Sequence, residues 1–149
     1  MPIYMKFDGI DGDVTAQGHE KWIEIHSISM GAANPPGTER ASSPSVSEIV
    51  VTKSTDISSV KLMLATTGGN LLNGGRIDFT NVGEGQDQVY MKYTLENVLV
   101  TSFQVSGDGN SRPMESLSLN FTKVTYQTIH RGADGSVIAS PSGFWDNRR

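Results

Sequence analysis

The sequence of 149 residues predicts a mainly-β fold, a small curved β-barrel with one flanking α-helix. Three observations predict it. Apolar residues recur with period two along most of the chain, as in half-buried strands. Two long strand-like segments, 88–105 and 115–129, change phase part way along. A strand must do this when it turns a corner of a small barrel and swaps which residues point inward. One segment alone, after Ser58, has helical spacing.

Taken in order, Ile3, Met5 and Phe7 alternate with polar neighbours and end at the turn-forming run Asp8-Gly9-Ile10-Asp11-Gly12-Asp13. Trp22 to Met30 reads as a second strand, with Ile23, Ile25, Ser27 and Ser29 on one face and Trp22, Glu24, His26, Ile28 and Met30 on the other. Gly31 to Ser45 holds three prolines among small residues. A stretch that long without regular structure is uncommon in a small domain, so it reads as a projecting loop. Ile49-Val50-Val51 is β-branched and strand-forming. In the helix, Ser58 or Ser59 is the expected N-cap, Val60, Met63, Leu64 and Thr67 share one stripe, and Gly68-Gly69 supplies the left-handed stop. Ile77 and Phe79 mark the next strand. Val89, Met91, Tyr93 and Leu95 share a face of the following one, until the consecutive Val98, Leu99 and Val100 break the phase. Leu117, Leu119 and Phe121 against Val124 and Tyr126 repeat that behaviour, and Ala133-Asp134-Gly135-Ser136 is a hairpin-type turn.

Length and composition fit a single domain, 1–149, long enough to bury a core. Net charge is −4 and the cations are scattered, so the chain lacks the basic footprint of a nucleic-acid binder. Without cysteine it has neither a disulfide framework nor a thiolate metal site. The N-terminus alternates and lacks the charged and apolar regions of a signal peptide, and no run approaches the ~20 apolar residues of a membrane span.

Chemistry-bearing patterns are scarce. His19, His26 and His130 lie far apart, none with a second ligand at metal spacing. The nucleophile elbow and the phosphate loop are absent, and Gly83-Glu84-Gly85 lacks a third glycine and a following helix. Asp8, Asp11 and Asp13 fail the calcium-loop alternation, and Trp22 stands where the closing Glu belongs. Asn120-Phe121-Thr122 matches a glycosylation acceptor but sits mid-strand. No catalytic residue, metal ligand or cofactor is therefore assigned. A site-free β protein with a long loop points to assembly, since open sheet edges invite pairing and head-to-tail contacts close into rings.

The motif order resembles the haemolysin-coregulated protein (Hcp) family. The resemblance rests on 21–31 (Lys-Trp-Ile-Glu-Ile-His-Ser-Ile-Ser-Met-Gly), 52–59 (Thr-Lys-Ser-Thr-Asp-Ile-Ser-Ser), 90–102 (opening Tyr90-Met91-Lys92-Tyr93), 113–121 (opening Pro113-Met114-Glu115) and the ending Gly143-Phe144-Trp145-Asp146. His19 and the opening Phe7-Asp8-Gly9 also fit, so it spans essentially the whole chain. It implies a small β-barrel of two packed antiparallel sheets with one helix at the side. It implies hexameric rings stacked into the inner tube of a type VI secretion system, with a VgrG-type spike, sheath proteins and small effector proteins as partners. It further implies export from the bacterial cytoplasm without a signal peptide. Because the chain stops shortly after Trp145, a bare tube subunit without a toxin domain is expected. Two positions depart from the family pattern: Lys21, where many relatives carry Gly, and Val60, where they carry Pro.

Met30, Pro35, Pro36 and Arg40 are the candidate contacts between subunits. Ser27 and Ser29 either line a wet lumen and touch effectors, or face solvent or a neighbour. Trp145 is expected to pack on the barrel. The competing classes are an all-β secreted binding module and a phage tail-tube-like structural protein; an enzyme finds no motif to support it.

Overall fold

In the computed structural model, which describes residues 2–33, 45–83 and 86–146, with backbone alone at 82–83 and 86–87, one long strand belongs to both layers. In chain order the elements are β1 (Ile3–Phe7), β2 (Ile23–Ile25), β3 (Ser27–Ser29), β4 (Ala32–Ala33), β5 (Ser45–Val46), β6 (Ile49–Ser54), α1 (Ser59–Gly68), β7 (Leu72–Gly83), β8 (Gln86–Ser106), β9 (Met114–Asn120), β10 (Lys123–Thr128), β11 (His130–Arg131), β12 (Val137–Ala139) and β13 (Ser142–Asp146). The first half of β8 pairs with β7 and β10; from Leu99 to Ser106 it pairs with β9. Sheet I thus runs β2-β1-β7-β8-β10-β13, and sheet II runs β3-β6-β9-β8, all antiparallel.

The corner in β8 lies where the apolar phase breaks. Tyr93 and Leu95 are buried before it, Val98 and Val100 after it. Between them Asn97 has φ 52°, a left-handed conformation that Asn tolerates better than most residues. A bulge between Val100 and Ser102 adds to the bend.

The chain makes a second corner at His26, which separates β2 from β3. Ile23 and Ile25 face the core; after His26 it is Ile28 that packs on the core, while Ser27 and Ser29 are exposed. The expected single strand with Ser27 and Ser29 on the face of Ile23 and Ile25 is therefore corrected. The break transfers the chain from β1 in sheet I to β6 in sheet II, and the phase flips with it. Among the described residues no ladder joins β2 to β3, so the two packed sheets are linked there through His26 alone and do not close into a hydrogen-bonded barrel.

Between the layers lies one apolar core that includes Met5, Phe7, Ile23, Ile49, Val51, Leu62, Ile77, Leu95, Leu117 and Leu119. Helix α1 rests against β8, but not by the expected stripe. Leu62 and Ala65 are buried, whereas Val60, Met63 and Leu64 are exposed. The first turn sets this rotation. Ser58 is buried with its hydroxyl donating to Asp56, and the Ser59 hydroxyl accepts from the buried Lys53 ammonium at 3.2 Å. With that side turned inward, Leu62 falls one turn on and Ala65 two turns on. Gly69 ends the helix at φ 65°.

The described ends of the 31–45 segment, expected to lack regular structure, are instead short strands clasped together. β4 pairs with β5, the Ser47 amide donates to the Gly31 carbonyl at 2.7 Å, and the Gly31 amide donates to the Ser47 hydroxyl at 2.8 Å. Pro35, Pro36 and Arg40 lie outside the described residues.

Lys21, at the position where the resembled family carries Gly, has φ 67°. Left-handed geometry costs a side chain about 1–2 kcal/mol. Lys21→Gly is expected to leave stability within about 0.5 kcal/mol or raise it, because relief of strain offsets added chain entropy. Lys21→Val is expected to lower stability by about 1–2 kcal/mol, since β-branching worsens the same strain. Thermal unfolding of the two variants checks this.

Candidate functional surface: a hydroxyl-lined sheet face

The outer face of sheet II follows from its register. Ser27 and Ser29 of β3 stand opposite Thr52 and Val50 of β6. Val50, Thr52 and Ser54 stand opposite Ser118, Ser116 and Met114 of β9. These in turn face Ser102, Gln104 and Ser106 of β8. Apart from Val50, Gln104 and Met114, every one of these side chains bears a hydroxyl, and none bears a charge. Ordinary solvent-facing strands carry Lys and Glu, which keep edges apart and the protein soluble. This face is wet, polar and electrically neutral.

One pair of hydroxyls bonds across β3 and β6. Ser27 Oγ and Thr52 Oγ1 are 2.5 Å apart, and His26 Nε2 lies 2.9 Å from Ser54 Oγ at the margin. At another margin Thr101 donates to the Glu48 carboxylate at 2.6 Å. Charge thus begins at the border of the face.

Behind it lies the opposite arrangement. Lys53 and Glu115 occupy the inward phase of β6 and β9 and are 0% and 2% exposed. Lys53 Nζ reaches Glu115 Oε1 at 2.5 Å, Asp56 Oδ1 at 3.0 Å and Ser59 Oγ at 3.2 Å. Thr55 donates to the second Glu115 oxygen at 2.9 Å, and the Ser58 amide donates to Asp56 at 2.9 Å. Each ammonium donor and each Glu115 oxygen has a partner, which a charge removed from water requires. The cluster ties the end of β6, the start of α1 and the start of β9 together, and so fixes the plane of the hydroxyl face. Residues of the 52–59 and 113–121 segments, which carry much of the family resemblance, meet here.

The three histidines do not converge. His19 is buried, its Nε2–H donating to Asp78 at 2.9 Å, with its ring against Tyr4 and Trp22. Its Nδ1 has no partner among the described residues. His130 lies 3.0 Å from the Thr128 hydroxyl. Among the described residues no group of three or more His, Cys, Asp or Glu is placed to hold a metal ion. No helix among them is long and apolar enough to cross a membrane.

Of the sequence-selected residues, the structure sets Ser27 and Ser29 within the hydroxyl face and Met30 just past the end of β3, half-buried on the core. Trp145 packs on the core from β13. The rest of the hydroxyl face was not selected. Its signal was available: Ser27-x-Ser29, Thr52-x-Ser54, Ser102-x-Gln104-x-Ser106 and Ser116-x-Ser118 all put hydroxyls or an amide where exposed strands put charge.

A mainly-β two-layer protein with, among the described residues, one helix and a neutral hydroxyl face is the class that fold and surface define. A family model described as type VI secretion system effector, Hcp, matches residues 4–127, and the chain belongs to the Hcp family of type VI secretion proteins. It is 32% identical over 107 residues to protein hcp1 of Pseudomonas aeruginosa, a match covering 70% of this chain and 65% of that protein. The chain therefore spans just under two thirds of that relative's length. Among solved structures it is similar to a type six secretion system protein at 28% identity, with a TM-score of 0.89 over 97% of this chain and 94% of the other. It also shares the fold of Hcp1 from Salmonella typhimurium, at 22% identity and a TM-score of 0.82, covering 98% and 94%.

Proposed function

We propose that the chain is a subunit of the type VI inner tube, forming hexameric rings that stack and carry small effector proteins against the hydroxyl face. The observation that supports this most is sheet II itself. Among the described residues, β3 pairs only with β6, and β8 from Leu99 to Ser106 pairs only with β9. Both flanks of the sheet are open. Neither is guarded: residues 27–33 and 99–106 contain no charge and no proline, the usual devices against edge pairing. Sheet II has four antiparallel strands, so β3 of one copy meets β8 of the next in antiparallel sense. Repetition head to tail closes a ring with the hydroxyl faces on its inner wall.

A neutral hydroxyl wall suits transit. It hydrates, bonds weakly to varied surfaces, and neither attracts nor repels a protein by charge. A cytoplasmic ring of this kind fits export through the machine itself, with a VgrG-type spike ahead of the tube and sheath proteins around it.

Ser29→Gln tests the carrier role. The longer amide stands up from the wall and obstructs contact, so effector retention in co-purification is expected to fall at least roughly tenfold, the equivalent of about 1.4 kcal/mol. Ring mass by native mass spectrometry is expected to stay unchanged. Loss of the ring itself would place Ser29 at a subunit contact.

A further inference from the structure

Helix α1 turns an apolar side to the outside. Val60, Met63 and Leu64 lie on it, with Ile57 before the helix and Leu71 after it, and all but Met63 are more than half exposed. A surface helix ordinarily turns charged and polar residues outward. Here Lys61 is the one charged residue between 57 and 75, and its ammonium is drawn to the Gly9 carbonyl at 3.2 Å. Contiguous apolar surface of this kind marks a contact.

The strand registers place this side in the fold. β9 runs into β10, and the two pair with consecutive stretches of β8, so both lie on one flank of it. β7 lies on the other flank and begins at Leu72, opposite Val98. Segment 55–71 leads to that point from Ser54, which is level with Ser106 across β9. Helix α1 packs against β8 and so runs beside the flank that has no strand among the described residues. The inward phase of β8 is uncovered there as well: Phe103 is only half-buried and Val105 is more than half exposed. Residues 99–107 carry no charge. Helix and strand flank together form one neutral apolar strip.

We infer that a second copy of this chain covers the strip, so that the outer side of α1 is buried between neighbours in the ring. The inference rests on the ring reading above and adds a surface to it. That reading brings β3 of the neighbour to the open flank of β8. β3 has three residues. A ladder of that length falls far short of the roughly 800 Å² per partner that a stable interface buries. The remaining area has to come from what adjoins the flank, and that is the α1 strip. A strand added in the phase of the sheet puts the neighbour's Ser27 and Ser29 on the hydroxyl face. Its Ile28 then falls on the side of Phe103 and Val105, so apolar meets apolar.

The chain has no cysteine, so one introduced thiol reports on one place. Leu64→Cys and Ser116→Cys are labelled with a small maleimide, in the dilute monomer and in the assembled protein. The Leu64→Cys thiol is expected to react at least tenfold more slowly once rings have formed. The Ser116→Cys thiol, on the hydroxyl face, is expected to react at the same rate in both. The double variant Val60→Glu with Leu64→Glu is expected to raise the concentration at which rings assemble at least tenfold. Both positions are exposed, so its monomer is expected to keep the circular dichroism and melting temperature of the unmodified chain. Rings in which the Leu64→Cys thiol reacts as fast as in the monomer overturn the inference and leave the ring standing, with the strip free for a sheath protein or another partner. Rings of the double variant at the unmodified chain's concentration overturn it equally. A Leu64→Cys thiol already slow in the dilute monomer places the cover within one chain and also overturns it. A chain that stays monomeric at every concentration overturns both readings.

Discussion

Glu115→Ala is expected to lower the unfolding free energy by about 3–5 kcal/mol, the cost of leaving a buried charge without its partner. Lys53 is fully buried, and Glu115 is its nearest acceptor at 2.5 Å. Removing the carboxylate leaves Asp56 and Ser59 to hold the ammonium, and the Thr55 hydroxyl loses its acceptor as well. For a domain of this size the melting temperature falls by very roughly 10 °C, at about 2–4 °C per kcal/mol. The damage extends to α1, whose rotation depends on Ser58 and Ser59 being held inward. The double variant Lys53→Met with Glu115→Leu is expected to recover most of the loss, because well-packed apolar side chains can replace a buried ion pair at little cost. A double-mutant cycle in urea separates the pair from its surroundings. Equal losses from both single variants with no recovery in the double would point to packing rather than charge.

Gly12→Ala is the second large effect expected, a loss of about 3 kcal/mol at the upper end of overpacking. A β carbon at Gly12 would stand 2.3 Å from the Trp22 carbonyl oxygen and 2.7 Å from the Ile23 α carbon. Both are backbone atoms at the entry to β2, so no side chain can swing aside. The loop is tied at this point, the Gly12 amide donating to the Lys21 carbonyl at 2.7 Å and the Val14 amide to the Trp22 carbonyl at 3.0 Å. Forcing it outward withdraws His19 from Asp78 and opens the core beside Tyr4. Gly143→Ala, with open space at its β carbon, is the control expected to change stability by less than about 0.5 kcal/mol. Chemical denaturation of both variants decides the comparison.

Much of the fold was legible because alternation survives in the sequence. The corner in β8 announced itself at Val98-Leu99-Val100, since three consecutive apolar residues cannot share one face of a strand. The corner at His26 did not, because the switch takes one residue and Ser27 and Ser29 keep the spacing of Ile23 and Ile25. The helix was located but turned the wrong way. Val60, Met63 and Leu64 make the most apolar stripe, yet the buried side was chosen by Ser58 and Ser59, polar residues whose partners are distant in sequence. The ionic cluster was legible in principle. Lys53 continues the inward phase of Ile49 and Val51, and Glu115 that of Leu117 and Leu119, so each is a charge in an apolar register. The hydroxyl face needed strand pairing, since each Ser-x-Ser pair is unremarked alone and becomes a surface only when four strands stand side by side.

The most direct measurement places the hydroxyl face in an assembly. Ser116→Cys, labelled with a gold cluster, marks the middle of the hydroxyl face in a chain with no other cysteine. Particle images of the assembled protein are predicted to show six-fold rings with gold density inside the central hole. Gold on the outer rim, or labelled particles without a ring, would contradict it.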